Sequence, residues 1–186
     1  MGILVLVLLA EGFEEIEAIG TVDILRRAEL SVTMVSISDE KVVASARGVK
    51  VFADAVLSEI DVRVQMSCEA LVLPGGGEGV KNLSKSEGAR LLTKEAAAAG
   101  KMIAAICAAP TFLGQLGLLE GKNATCYPGM ESELNCGKYL SDAVVVDGKF
   151  ITSRGAGTTH LFAAKIVEEL ASKDLADSVL EKMIFS

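Results

Sequence analysis

Tryptophan is absent from this chain, and histidine occurs once, as His160. One imidazole cannot build a zinc cluster, and no His/Cys spacing suggests one, so neither a metal nor any other cofactor is expected. Proline is scarce, with three residues, and no linker or low-complexity tract is long enough to divide the chain. The four cysteines, Cys68, Cys107, Cys126 and Cys136, form no C-x-x-C pair. Without an export signal, free thiols in a reducing cytoplasm are expected rather than disulfides. Positive charge is in deficit, 18 basic residues against 25 acidic, for a net charge of -7. An acidic surface repels phosphate backbones, and no basic cluster offsets it, so a nucleic-acid partner is not expected. Long hydrophobic runs are missing too. The apolar stretch Ile3–Ala10 lacks a basic leader and is too short to span a bilayer, so it reads as a buried strand. No membrane partner is expected.

Hydrophobic residues nevertheless make up 51% of 186 positions. That is enough for one domain, residues 1–186, with a full core. Ile3–Ala10 is continuously apolar, as a strand covered on both faces must be. Phe13–Ala28 follows as a helix, with Phe13, Ile16, Ile19, Val22 and Leu25 at a spacing of three. Ser31–Ile37 is a second strand, and residues 41–57 hold a hairpin about Gly48. Glu69–Leu73 is a strand that runs into the glycine-rich loop "PGGGEG". Gly88–Ala99 is a helix stopped by Gly100. Met102–Ile106 is a strand and Pro110–Leu119 a helix. Asn123–Tyr127 is a short strand, and Asp147-Gly148 joins two more in a hairpin. Thr158–Ala171 and Asp174–Met183 are helices. Strands alternating with helices predict an α/β fold, a doubly wound, mainly parallel sheet with helices on both faces. Ligands in such folds sit beyond the carboxyl ends of the strands. The loop after the first strand, the "PGGG" loop and Cys107 all fall there.

Cys107 stands between a strand and a helix start, where unpaired N–H groups and the helix dipole favour a thiolate. Position alone leaves open a reactive thiol or a small buried filler. Glu17 interrupts the row Phe13, Glu17, Gly20, Ile24. A carboxyl desolvated there has a raised pKa and can donate a hydrogen bond or carry a proton; a carboxylate reaching water is the alternative. Gly20, costly inside a helix, suggests a close packing contact, within the chain or with another subunit. Gly75 and Gly76 offer backbone N–H groups that can cradle an oxyanion, although the loop has neither a P-loop lysine nor the G-x-G-x-x-G spacing. His160 opens a helix and is the one residue available to a Cys–His pair.

The segments "AEGFEEIEAIGTVDILRRA", "LVLPGGG", "AAICAAP" and "TSRGAGT" together resemble the ThiJ/PfpI superfamily, related to class I glutamine amidotransferases, and within it the DJ-one (parkinsonism-associated protein deglycase) branch. The resemblance spans essentially the whole chain. It implies a flavodoxin-like sandwich and a homodimer. It implies that Cys107 is an oxidation-prone nucleophile and that Glu17, when protonated, hydrogen-bonds its sulfur. It further implies that Gly76 and Ala108 turn N–H groups toward that sulfur, that Arg27 and Arg47 lie near the site around the dimer interface, and that Ser153, Gly155 and Ala156 wall the pocket. Two positions depart from related patterns. Tyr127, in "TCYP", stands where the branch often has histidine, and Ala108 stands where the peptidase-like branch has one. Tyrosine, with an ordinary pKa of ~10, is a poor base at neutral pH.

The leading expectation is a glutathione-independent glyoxalase or deglycase that uses Cys107 and Glu17 on 2-oxoaldehydes such as methylglyoxal, or on their adducts. The alternative is a non-catalytic oxidative-stress sensor or chaperone in which Cys107 becomes a sulfinate. A cysteine peptidase or amidase is disfavoured for want of a base.

Overall fold

The computed structural model describes residues 2–185. Its centre is a seven-stranded sheet in the order β10-β11-β7-β6-β1-β2-β5. These are β1 (Leu4–Leu9), β2 (Ser31–Ser36), β5 (Ala55–Val56), β6 (Ala70–Leu73), β7 (Met102–Ile106), β10 (Val144–Asp147) and β11 (Phe150–Ser153). Every neighbouring pair is parallel except β10–β11, the hairpin turned by Asp147-Gly148 with Gly148 at φ 62°. The doubly wound, mainly parallel arrangement expected from the sequence is present.

Alternation along β1 shows why two helical layers form. Val5, Val7 and Leu9 join one buried cluster, which includes residues of α1 (Glu15–Arg27), α6 (Thr159–Leu170) and α7 (Lys173–Lys182). Leu6 and Leu8 join the opposite cluster, with α3 (Gly77–Lys85), α4 (Glu87–Ala98) and α5 (Ala109–Gln115). A strand flanked by two apolar layers must be apolar at every position.

Several elements differ from expectation. The "PGGGEG" segment is only partly a loop, because α3 starts at Gly77. A Cβ at Gly79 would lie 2.9 Å from the Phe13 nitrogen, so the helix needs glycine to pack on the turn after β1. A short helix, α2 (Val62–Met66), precedes β6. The hairpin around Gly48 consists of β3 (Val42–Ala44) and β4 (Lys50–Phe52), apart from the main sheet. The expected strand Asn123–Tyr127 is confined to β8 (Asn123–Ala124), which pairs with β9 (Lys138–Tyr139). Helix α5 ends at Gln115, ahead of Gly117 at φ 74°. On α1, Ile16 is 58% exposed and Ile19 38% exposed, so the spacing-three stripe is not wholly buried. Gly20 meets the Thr159 methyl of α6 in the same chain, where an added Cβ would come within 3.0 Å.

Candidate functional site

Four parallel strands end side by side, and each delivers one piece of a cleft. After β1 the chain turns through Gly12, at φ 83°, into α1 and Glu17. After β6 come Gly75 and Gly76, after β7 comes Cys107, and after β11 come Gly155 and Ala156. The cleft has a volume of about 470 Å³, and Glu14, Glu17, Arg47, Cys107 and Tyr127 line it.

Cys107 is held at φ 65°, in the left-handed region that a side chain rarely adopts. Its flanking peptides are pinned. The Cys107 N–H donates to the Ser153 carbonyl at 2.9 Å, and the Tyr127 N–H donates to the Cys107 carbonyl at 2.8 Å. Strain held by the surrounding backbone in this way turns the sulfur outward at the strand end, as in a nucleophile elbow.

Glu17 is 1% exposed. Its Oε2 accepts the Gly75 N–H at 2.8 Å. Its Oε1 is buried without a hydrogen-bond partner, in the neighbourhood of the Cys107 sulfur. A Cβ at Gly155 would sit 3.9 Å from both Cys107 Sγ and Glu17 Oε1. Gly75 admits no side chain, because a Cβ there would lie 2.5 Å from Glu17 Oε2 and 2.6 Å from Cys107 Cβ. Gly76, at φ 93°, is closed off by the Gly12 carbonyl. The glycine segment is therefore a fitted wall.

Burial is the largest influence on both ionisable groups. It pushes the Glu17 carboxyl up to about 7, opposed by hydrogen bonds from Cys107 and Gly75. Burial, followed by repulsion from a charged Glu17, pushes the Cys107 thiol up to about 12, while the N–H groups of Gly76 and Ala108 pull it down. The two groups therefore titrate as a pair. With Glu17 protonated, the repulsion that raises the thiol is absent, and the N–H groups of Gly76 and Ala108 remain to favour its ionisation.

The remaining expected residues divide by place. Arg47 lines the cleft and lies 4.0 Å from Glu15. Ser153 is buried; its hydroxyl donates to the Ala143 carbonyl and meets Thr158, so its link to Cys107 runs through the backbone. Tyr127 is 52% exposed at the lip. Arg27 is ten residues beyond Glu17, about 15 Å along α1, and pairs with Asp23 at 2.9 Å; within one chain it stands away from the cleft. His160 is also outside, with its ring stacked on Phe185 at 4.6 Å. Glu14 and Met130 were not anticipated. Glu14 caps α1 by accepting the Glu17 N–H at 2.8 Å, and that cap holds its carboxylate beside the cleft.

The family model described as "DJ-1/PfpI family" matches residues 4–169. The chain belongs to the DJ-1/PfpI family. It is 40% identical to "Protein dj-1beta" of Drosophila melanogaster over 181 residues, covering 96% of this chain and 95% of that protein. The crystal structure of that protein superposes with a TM-score of 0.93 over the full length of both chains, at 38% identity. "Toxoplasma gondii DJ-1, oxidized" gives a TM-score of 0.93 at 34% identity, covering 99% of each chain. "Glutathione-independent glyoxalase DJR-1.2" of Caenorhabditis elegans is 34% identical, covering 93% of this chain and 91% of that protein. The fold of the DJ-1/PfpI family is therefore the flavodoxin-like one expected here. Among the described residues, no helix is long and apolar enough to cross a membrane.

Proposed function

We propose that this protein is a cysteine-dependent glyoxalase or deglycase that acts on 2-oxoaldehydes or their adducts. The observation that carries the reading is a buried Glu17 beside Cys107, with Oε1 unpartnered and the carboxyl protonated up to about 7. The relative named as a glutathione-independent glyoxalase supports it. In the reaction, the Cys107 sulfur adds to the aldehyde carbon of methylglyoxal, and Glu17 gives its proton to the new alkoxide. The N–H groups of Gly76 and Ala108 stabilise negative charge beside the sulfur. Glu17, now a carboxylate, takes the hydrogen from the former aldehyde carbon, and the adjacent carbon is reprotonated to leave a lactoyl thioester. Water cleaves the thioester, so that one aldehyde and one water give one lactate and free Cys107. No imidazole takes part, which fits a histidine placed outside the cleft.

The test is lactate formation from methylglyoxal by the intact chain, by Cys107→Ala and by Glu17→Gln. Both variants are expected to lose at least about a hundredfold in kcat. Full turnover in Cys107→Ala overturns the mechanism.

One observation favours a second role, as an oxidation sensor. The unpartnered Glu17 Oε1 and the Gly76 and Ala108 N–H groups suit the oxygens of a sulfinate on Cys107, and an oxidised relative has been solved. Mild peroxide should then add two oxygens at Cys107 before any at Cys68 or Cys136; equal modification of all three overturns this role. The exposed Ile16 and Ile19 of α1, with exposed Val49 and Phe52 of the hairpin that is bonded to the turn before α1, support a homodimer. A cytoplasmic location remains part of the same reading.

A further inference from the structure

A second hollow of about 410 Å³ adjoins the Cys107 cleft and shares three of its lining residues, Gly77, Ala108 and Met130. It lies between α3 and α5. Its floor is apolar, with buried Val80 and Ala108. Its far end is tied by a hydrogen bond between Ser84 and Gln115 at 2.9 Å, which fixes α3 against α5. Lys81 and Lys85 stand on its rim at i and i+4 along α3, so both ammonium groups project on one side. Lys81 is shared with Glu78 at 3.6 Å, and Lys85 makes no ion pair among the described residues. Glu133 is the one acidic residue of the lining. With Lys81 shared by Glu78, Lys85 is the unshared cation of the lining, on a chain whose net charge is -7.

A three-carbon aldehyde occupies a small part of one such hollow, since pockets of this size commonly enclose much larger ligands. From Gly77, at the edge of the Cys107 cleft, the helix rises about 6 Å to Lys81 and about 12 Å to Lys85. We infer that the second hollow is a subsite for a carboxylate-bearing tail, so that the preferred substrates are 2-oxoaldehyde adducts of carboxylate-bearing amines or thiols rather than the free aldehyde. The reactive carbon sits at Cys107, the aliphatic tail runs past Met130 over Val80, and the carboxylate meets Lys81 and Lys85. The substrate class rests on the aldehyde reading above; the subsite itself does not.

The test separates the two. Cys107 is labelled with 6-maleimidohexanoic acid and with its neutral amide, and the acid-to-amide ratio of rate constants is compared between the native chain and the Lys81→Gln/Lys85→Gln double variant. The ratio is expected to fall about fivefold in the variant at low salt, the size of two modest charge contacts, and to fall likewise in the native chain as salt is raised. An equal ratio in both proteins overturns the subsite. Turnover is then compared for methylglyoxal adducts of N-acetylcysteine and Nα-acetyl-lysine against their carboxamides. A preference for the acids in either series that the double variant lacks supports the substrate class, and no preference in both series overturns it. Absence of all turnover overturns the aldehyde reading, and the labelling ratio then decides the subsite alone.

Discussion

The Gly75 N–H reaches Glu17 Oε2 at 2.8 Å across 58 positions of sequence, and by holding that oxygen it leaves Oε1 as the unpartnered half of the carboxyl. The bond satisfies half of a buried carboxyl group and leaves the other half free for a group on Cys107. Burial, against the pull of that bond, lets the carboxyl keep its proton up to about 7.

This has a consequence for stability with a definite sign. Glu17 binds its proton more tightly in the folded chain, where its pKa is about 7, than at its ordinary value of 4.5. The stabilisation is fully present below 4.5 and is lost as pH rises through 7. Glu17→Gln can keep the Gly75 bond and point its amide at the sulfur without any titration. The native chain should therefore lose about 3 kcal/mol more than Glu17→Gln between pH 4.5 and 8, read by urea unfolding at each pH. The same substitution should remove the inflection near 7 from the pH profile of Cys107 alkylation, leaving an isolated thiol that ionises at higher pH. Parallel stability curves for the two proteins would show that Glu17 is not held protonated.

The Cys107 backbone supports a different experiment. A non-glycine residue at φ 65° costs about 1–2 kcal/mol that glycine does not. Cys107→Gly should therefore unfold at higher urea than Cys107→Ala, with a difference of about 1 kcal/mol in its favour. Both variants lack the sulfur, so the comparison isolates the backbone. If Cys107→Ala proves equally stable, the turn is not strained and the sulfur's placement owes nothing to stored conformational energy.

Much of this architecture was legible in the sequence, and the exceptions have physical causes. The buried strands announced themselves because a strand packed on both faces has no polar position, as Met102–Ile106 shows. Cys107, Glu17 and the glycine segment were placed together because parallel strands end on one side of a sheet. Helix α3 was missed because Gly77 and Gly79 argue against helix by propensity, whereas here they are needed for close approach to the Gly12–Phe13 backbone. Ile16 and Ile19 fit the apolar spacing of α1 but face outward, since spacing cannot separate a core stripe from an unpartnered face. Glu14 was hidden because its place in the cleft follows from capping α1, and Met130 because its place depends on how residues 125–134 fold back over α5, which local pattern does not encode. Arg27 is a different case: the resemblance implies a place near the site around a dimer interface, and within one chain its partner is Asp23.

Tyr127 offers the sharpest test of how the cleft works. Its backbone is fixed to Cys107 by the 2.8 Å bond from its N–H, and its ring passes 3.4 Å from the point where a Gly155 Cβ would stand, itself 3.9 Å from the sulfur. A side chain at this position therefore overhangs the reacting atoms. Phenol ionises too high to act as a base near neutrality, whereas imidazole is half-protonated near ~6.5. In Tyr127→His the new ring inherits the same Cβ and can assist the proton transfers and the attack of water on the thioester. General acid–base help contributes about a hundredfold or more when well placed, and an unoptimised ring should give at least about tenfold in kcat for methylglyoxal. The kcat profile should also acquire a second inflection, from the imidazole, beside the one near 7 that the Cys107–Glu17 pair gives the native chain. A variant that folds, alkylates at Cys107 normally and shows neither the gain nor the inflection would mean that residue 127 closes the cleft without reaching the chemistry.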